Sequence, residues 1–420
     1  MSLFAVTASG ACSIYDTSLL RPGDGGLDAG GVGGAHNGTG ATSSTGAVSS
    51  TAGSGTGGTG GTPPVDICPD RALTQAQGTD SSFSFGTSSI DFGTALPDTT
   101  GYRNIGIDLD GDCDRVAAEP ECSDADFSDG TYPDGALGVD NAGGGFFRYF
   151  QDQLFSLPFN ENITVGNGAI LFHVSGYNDD SSDEVVGDDN DVDVALLIAA
   201  PYPDGITPSM DNIPSWDIDD TSVQIPSGAG CDPAAPSACR QFSATTPTSL
   251  TDIAYISGGR LVARFPDMRI VLPGQPYASG KGDIEIILKN STLLCDIQAT
   301  PDNAVIGNAW RANECTLGGR WQLSSALLAA QRMADPLSGT DIGSQPMCLG
   351  DTGYSALQGI LCRSVDRAST REFPSSDVAC DGLSFGMNMT MVSAIPNYVV
   401  PVDRSPNLCD GSLRQAPACL

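Results

Sequence analysis

The chain has 420 residues, of which 40% are hydrophobic, and it contains 52 glycines and 27 prolines. This composition allows a buried core of one or two domains but excludes a largely helical structure. Because 51 acidic residues against 19 basic ones give a net charge of -32, the chain repels a phosphate backbone; nucleic acid is excluded as a partner, and a membrane is reached only through a lipid anchor.

Thirteen cysteines are many for a cytosolic protein, in which thiols stay reduced. None of them forms a C-x-x-C pair with companions suited to zinc, so disulfide bonds are the better explanation. Setting Cys12 aside leaves an even number of candidates: Cys68, Cys113, Cys122, Cys231, Cys239, Cys295, Cys315, Cys348, Cys362, Cys380, Cys409 and Cys419. The sequence therefore predicts maturation in an oxidising compartment.

The spacing of these cysteines suggests a partial connectivity. Four pairs are close in sequence and are predicted to form local crosslinks: Cys113 with Cys122, Cys231 with Cys239, Cys295 with Cys315, and Cys348 with Cys362. The others would pair among themselves: Cys68, Cys380, Cys409 and Cys419. Spacing limits the possible connectivities without fixing one.

Residues 1–20 have features of an export segment. A short apolar run at residues 3–6 and small residues at 8–11 precede Cys12, as at the end of a bacterial lipoprotein signal. A complete signal also has a basic start and an apolar stretch of roughly 7–15 residues. Either the true start lies upstream of Met1 and Cys12 is lipidated, or Cys12 is an ordinary residue. No apolar run reaches the length of about 18 residues that a transmembrane helix needs.

Residues 21–64 consist mostly of Gly, Ser, Thr and Ala, which have almost no side chain to bury. This composition predicts a disordered tether. The tether would connect the export segment to a single folded ectodomain, residues 65–420.

Within the ectodomain the pattern favours short antiparallel strands bounded by Gly, Pro, Asn and Asp. Apolar residues alternate with polar ones in segments near Phe83 to Phe92, Ile170 to Val174, Val192 to Ile198, Leu261 to Phe265, Ile284 to Leu288 and Met387 to Met391. Gly258 and Gly259 predict a tight hairpin turn. The sequence thus predicts a mainly β fold, an antiparallel β-sandwich or jelly-roll-like domain.

Helices are expected in three places only. They are Phe146 to Phe155, Ser324 to Met333, and about Tyr354 to Val365. The last two predict a small helical insertion at about residues 320–366.

Several motifs together resemble a group of uncharacterised predicted lipoproteins, secreted or outer-membrane, of myxobacterial type. They span roughly residues 100–400 and read Asn104-Ile-Gly-Ile-Asp-Leu-Asp-Gly111, Gly138-Val-Asp-Asn-Ala142, Gly319-Arg-Trp321 and Cys380-Asp-Gly-Leu-Ser-Phe-Gly-Met387. The resemblance implies export, a cysteine-anchored low-complexity stalk and one compact ectodomain. It implies no activity.

The segment from Asp108 to Asp114 places carboxylates at alternate positions around a glycine. Calcium prefers such hard oxygen ligands, six to eight of them. The segment does not fit the EF-hand template, because a loop with Gly111 at its sixth position would begin at Gly106 and end at Ala117. The prediction is an irregular calcium site, against the alternative of an acidic, disulfide-linked turn; the predicted ligands are Asp108, Asp110, Asp112, Asp114, Asp140 and Asn141.

A second acidic segment runs from Asn178 to Asp193, between two predicted strands. Its like charges repel one another, and a bound cation would relieve the repulsion. The alternative is a solvated loop.

Other motifs point to no catalytic residue. Gly382-Leu-Ser-Phe-Gly386 matches the nucleophile pattern G-x-S-x-G, but its surroundings alternate like a strand, and no histidine follows it. Of the two histidines, His36 lies in the tether and His173 on a strand, where we expect a surface or inter-layer position. Residues 274–282 have one residue too many for a P-loop, so nucleotide is excluded as a ligand. The three tryptophans, 216, 310 and 321, are expected to pack in the core.

The sequence therefore favours a noncatalytic binding module at the cell surface or in the medium, stabilised by calcium and directed at an extracellular glycan or protein. The first alternative is a secreted polysaccharide hydrolase that uses two carboxylates. The second is a structural envelope lipoprotein.

Overall fold

The computed structural model describes residues 71, 80–94, 101–109, 139–152, 159–178, 186–203, 206–210, 213–224, 231–273, 276–277, 280–281, 283–299, 310–333, 335, 346–367, 380–404, 409 and 419. Contacts divide the chain into two units, residues 1–61 and residues 62–420, and every described residue belongs to the second. The predicted export segment, the predicted tether and Cys12 lie outside the described residues.

Strands dominate the described part of the chain, which confirms the predicted mainly β, antiparallel fold. The strands are β1 Asp80–Asp91, β2 Ile170–Asn178, β3 Asp193–Ile198, β4 Ser215–Asp219, β5 Arg240–Gln241, β6 Ser249–Thr251, β7 Ala254–Ser257, β8 Arg260–Leu272, β9 Pro276–Tyr277, β10 Gly280–Lys281, β11 Ile284–Ala299, β12 Trp310–Gln322, β13 Gly382–Ser393 and β14 Ile395–Val400. The α-helices are α1 Gly144–Asp152, α2 Phe159–Thr164, α3 Leu323–Ala330 and α4 Thr352–Arg363. None of these helices is long and apolar enough to cross a membrane.

One sheet carries most of the structure. Its nine strands lie in the order β6-β3-β2-β1-β13-β12-β11-β8-β7, and all neighbours within it are antiparallel. The sheet curls until its ends meet: Asp189, just before β3, exchanges backbone hydrogen bonds of 2.8 and 2.7 Å with Ile256 of β7. Because β7 also pairs with β8, the two halves of the sheet enclose one core, as a sandwich-like fold requires.

The alternation seen in the sequence sets the inner face of this sheet. Phe83 and Phe85 of β1, Phe172 of β2, and Met387 and Met389 of β13 are all buried in the same core. The predicted tight turn is confirmed, since Ser257 pairs with Arg260 across Gly258 and Gly259, whose φ angles are 59° and 77°. These positive angles favour glycine at both positions.

A smaller sheet covers part of the outer face. It contains β4, β14 and β5 in that order, with β4 and β14 parallel. Trp216 of β4 and Val399 of β14 pack with Leu171 and Leu197 of the large sheet in a second core. Arg404 then holds the end of β14 in place: it donates to Asp283 Oδ2 at 2.6 Å and pairs with the buried carboxylate of Asp219.

Helices α3 and α4 form the predicted small helical unit, and α1 overlaps the first predicted helix but begins two residues earlier, at Gly144. The six-residue α2 was not expected, because its sequence, Phe159-Asn-Glu-Asn-Ile-Thr164, shows no helical repeat of apolar residues. Tertiary contact holds it: Asn160 Oδ1 accepts from Ile90 N at 2.7 Å, and Asn162 Nδ2 donates to Pro273 O at 2.9 Å.

Four disulfide bonds join described residues to each other, and their pattern corrects two predictions. The local pairs Cys231–Cys239 and Cys295–Cys315 are confirmed. The pairing of Cys348 with Cys362 is wrong: Cys348 bonds to Cys409 and Cys362 to Cys419, over 61 and 57 residues of sequence. The prediction that Cys68, Cys380, Cys409 and Cys419 pair among themselves is therefore wrong as well. Cys380 is disulfide-bonded as well. The remaining predicted partners, Cys68, Cys113 and Cys122, lie outside the described residues.

The physical reason for the correction is α4 itself. Cys348 precedes the helix and Cys362 lies in its last turn. A helix rises about 1.5 Å per residue, so α4 holds these two residues much farther apart than the Cα separation of roughly 7 Å that a disulfide tolerates. The segment that follows Arg404 supplies a partner for each instead.

Candidate functional site

Two stretches of chain lie side by side on the outer face of the large sheet, and the first of them includes Asp108, where the first acidic segment begins. We call residues 105–109 and 139–143 the stem, because residues 110–138 leave and rejoin the described structure there. Asp140 N donates to Ile107 O at 3.1 Å, and Leu109 N donates to Asp140 Oδ2 at 2.8 Å. Of the predicted calcium ligands, the structure places Asp108, Asp140 and Asn141 in the stem, whereas Asp110, Asp112 and Asp114 lie outside the described residues.

Glycines on the sheet allow the stem to approach so closely. Gly318 of β12 and Gly386 of β13 are cross-strand partners. A Cβ atom at Gly386 would lie 2.3 Å from Ile105 O, and one at Gly318 would lie 2.9 Å from Ile107 Cβ. Both distances are below any normal contact, so the stem rests where the sheet has no side chains.

Asn141 extends the hydrogen-bond ladder of β13 beyond the end of β1. The last residue pair between these strands is Asp91 with Asn388. Asn141 Oδ1 accepts from Gly386 N at 2.8 Å, while its Nδ2 donates to Gly386 O at 3.1 Å and to Tyr102 O at 2.9 Å. The carboxamide thus replaces the missing strand and satisfies both backbone groups of Gly386.

A buried ion pair fixes the stem to the segment that follows α4. Arg367 Nη2 contacts Asp140 Oδ1, and the two side chains are only 4% and 1% exposed. Asp140 Oδ2 is occupied by the Leu109 backbone N–H, so both carboxylate oxygens have protein donors. A carboxylate this deep in the protein requires such compensation for the loss of water.

Asp366, which precedes Arg367 in the sequence, accepts two hydrogen bonds from Ser384 of β13. Its Oδ1 accepts from Ser384 N at 2.7 Å and its Oδ2 from Ser384 Oγ at 2.6 Å. Burial raises the pKa of Asp366, against the lowering effect of Arg367 and of these hydrogen bonds. The hydroxyl of Ser384 also accepts from Ala142 N at 2.7 Å, which ties the stem to the same strand.

The side chain of Ser384 therefore connects parts of the structure to each other. The G-x-S-x-G sequence lies inside β13, as the alternation predicted, and Ser384 is fully buried. Its hydroxyl is engaged as both donor and acceptor, which leaves it without the exposure that a nucleophile elbow provides.

Arg320 completes the contacts of the stem with the sheet. Its side chain lies on the outer face of β12, where Nη2 donates to Leu109 O at a distance of 3.1 Å. The residue is 3% exposed. Asp108 is buried to a similar degree. The stem thus collects buried charges from β12, from the segment after α4 and from its own two stretches, and these contacts fix the two stretches side by side on the sheet.

This arrangement bears on the predicted calcium ligands. The side-chain oxygens of Asp140 and Asn141 are engaged with protein donors. The calcium ligands predicted at Asp110, Asp112 and Asp114 stay a prediction, because these residues lie outside the described structure. Among the described residues, no group of three or more His, Cys, Asp or Glu side chains is placed to hold a metal ion.

In the described part of the second acidic segment, carboxylates accept hydrogen bonds from backbone N–H groups. Asp189, which is fully buried, accepts from Asn178 N at 2.7 Å and from Asp191 N at 3.1 Å. Asp188 Oδ1 accepts from Gly258 N at 2.7 Å. Residues 179–185, with the other predicted acids of this segment up to Glu184, lie outside the described residues.

His173 occupies the inter-layer position that the sequence allowed. Its Nδ1 lies 2.7 Å from Ser84 Oγ, and its ring is 5.3 Å from that of Phe242 in the covering layer. Burial lowers the pKa of His173, because the charged imidazolium is disfavoured there. The tryptophans are core residues, as predicted: Trp216, Trp310 and Trp321 are 1%, 5% and 0% exposed.

Sequence reasoning missed Asp366 and Arg367 altogether. They follow a helix in a segment without periodicity, and only tertiary contacts, the bridge between Arg367 and Gly382 and the hydrogen bonds of Asp366 to Ser384, bring them to β13. Arg320 could be noticed because it stands in Gly319-Arg-Trp321, one of the motifs quoted above. No local signal distinguishes Asp366 from the many exposed acids of this chain.

Comparison of the chain with protein-family models, with curated proteins and with solved structures gave no match. The resemblance to myxobacterial lipoproteins therefore stays a prediction.

Breaking the buried ion pair of Arg367 should destabilise the protein much more than breaking an exposed ion pair. We expect Arg367→Met to lower the free energy of unfolding by about 3–5 kcal/mol, because it leaves the Asp140 carboxylate buried without its counter-charge. The control Arg260→Met breaks the 3.0 Å pair with Asp296, whose side chains are 22% and 52% exposed. It should cost less than about 1 kcal/mol. Urea denaturation measures both; a loss for Arg367→Met no larger than that of the control would contradict a stabilising role for the pair.

Proposed function

We propose that this chain is a noncatalytic binding module that works outside the reducing cytoplasm and presents residues 110–138 to an extracellular protein or glycan. The observation that supports this most directly is the stem, in which buried contacts hold the residues that precede and follow the segment on a crosslinked sheet. Binding residues are commonly found on loops that a rigid scaffold positions. A scaffold of this kind lowers the entropy that the segment loses on binding.

The charge of the presented segment indicates what it attracts. Its acids are Asp110, Asp112, Asp114, Glu119, Glu121, Asp124, Asp126, Asp129 and Asp134, and its one basic residue is Arg115. Calcium reduces the repulsion among these carboxylates and organises them around hard oxygen ligands. In this proposal Asp110, Asp112 and Asp114 bind the ion next to the stem, and the loaded segment contacts the partner.

The effect of calcium on the melting temperature distinguishes this proposal from the alternative of an acidic turn that binds no ion. Calcium should raise the melting temperature of the wild-type protein relative to a sample with chelator, since a ligand at about 100 times its Kd adds about 2.7 kcal/mol to the stability of the folded state. The variant Asp110→Asn/Asp112→Asn/Asp114→Asn should lose this response.

The matched control removes the same charge from the second acidic segment, Asp179→Asn/Asp180→Asn/Asp183→Asn, and should keep the response. Scanning calorimetry at constant ionic strength measures all three proteins. Identical wild-type curves with and without chelator would remove calcium from the account. An equal loss in both variants would assign the response to total charge rather than to the presented segment.

The disulfide bonds indicate an oxidising compartment, which is extracellular or periplasmic. Within that range, our proposal is that a lipid on Cys12 anchors the chain at the outer surface of the cell, with residues 21–64 as the tether. The support for this step is the run of small residues before Cys12 and the composition of residues 21–64.

The anchor is tested by fractionating cells of the natural host that produce the full chain. Wild-type protein should sediment with membranes, and the peptide that contains Cys12 should carry the mass of an acyl modification. Cys12→Ser should move the protein to the soluble fraction, whereas the control Ser13→Ala should not. An unmodified Cys12 peptide in the mature protein would refute the anchor.

A further inference from the structure

Two exposed aliphatic side chains and two carboxylates lie on β3, on β6 and on the two residues that follow β6. Leu250 and Ile253 are 46% and 49% exposed, which places them among the most exposed large apolar residues of the described chain. Asp193 and Asp252 are exposed beside them. We call these four residues the β6 patch.

The strand register sets the two carboxylates opposite each other. Val194 pairs with Thr251 and Ala195 with Leu250, so the next position places Asp193 beside Asp252. Like charges that face each other across neighbouring strands destabilise a sheet. Partial burial and the charges of Asp252 and Asp191 raise the pKa of Asp193, in agreement with this geometry.

Elsewhere the same sheet places opposite charges together. On β8 and β11, Arg260 faces Asp296 and Asp267 faces Lys289, and each pair forms an ion pair. Among the described residues, Asp193 and Asp252 form no such pair. The β6 patch therefore departs from the charge pattern of its own sheet.

We propose that the β6 patch is a docking surface for a basic segment of another protein, in which Lys or Arg residues alternate with aliphatic ones. Cations of the partner neutralise Asp193 and Asp252, and its aliphatic side chains cover Leu250 and Ile253. A second copy of this chain is a poor occupant, because two molecules of net charge -32 repel each other. A bare metal ion would satisfy the carboxylates but leave the aliphatic side chains in water.

The surface is distinct from the stem and does not depend on calcium at residues 110–138. Aliphatic burial supplies affinity in proportion to the apolar area removed from water, and charge complementarity selects the partner. Both features are needed for the proposed segment, and each can be removed separately.

The probe is a fluorescent octapeptide of alternating Lys and Val, measured by anisotropy against the full chain at physiological ionic strength. It should bind more tightly than an alternating Lys and Ser octapeptide of equal charge. Asp193→Asn/Asp252→Asn and Leu250→Ser/Ile253→Ser should each weaken binding about tenfold, since each removes one of the two complementary features. Because all four side chains are exposed, the melting temperatures of the variants should stay near that of the wild type.

The matched controls change the same residue types elsewhere. Asp267→Asn/Asp296→Asn removes equal charge from β8 and β11, and Val165→Ser/Ile206→Ser removes two other exposed aliphatic side chains. Each should change the affinity less than about twofold. The proposal is overturned if the Lys and Ser peptide binds equally well, if either patch variant retains wild-type affinity, or if a control weakens binding as much. It is also overturned if calcium alone binds the patch and displaces the peptide, because the site would then belong to an ion.

Discussion

The contact between Asp140 and Arg367 is the constraint on which the arrangement of the stem depends. Two charges with 1% and 4% exposed side chains lose most of their hydration, and each is tolerable only because the other is present. Asp140 belongs to the returning half of the stem, while Arg367 forms a bridge to Gly382 at the start of β13. One interaction thereby connects the base of a long acidic segment to the middle of the sheet.

Hydrogen bonds between the rest of the stem and the sheet strengthen this connection. Asn141 replaces a strand beside Gly386, and Ser384 joins Asp366 to the backbone of Ala142. These are hydrogen bonds that would otherwise be made with water, so each adds modestly to stability, but leaving any one of them unmade in this buried place is costly. The result is a scaffold in which the position of residues 109 and 139 is set by the core.

The sequence predicted the strands because their cause is local. Alternation of apolar residues identifies a half-buried strand such as β2 or β13 without knowledge of its neighbours. The pairing of Cys348 with Cys409 has no local cause; it follows from the length of α4 and from a tertiary contact that places Cys409 beside Met347. In the same way, Asp108 and Asp140 could be selected as a candidate pair from their acidity. Their burial depends on the absence of side chains at Gly318 and Gly386, which lie far away in the sequence.

The hydrogen bonds of the stem predict how slowly its backbone amide hydrogens exchange with solvent. Amide hydrogens of Leu109, Asp140, Gly143 and Gly386 are bonded within the stem and the sheet, so they should exchange with deuterium as slowly as Leu317 in the centre of β12. Hydrogen exchange followed by NMR on the intact, oxidised chain provides this comparison. Equal protection would show that the stem opens only with the core. Rapid exchange at the stem amides beside a protected Leu317 would contradict the account, because residues 110–138 would then have no fixed base.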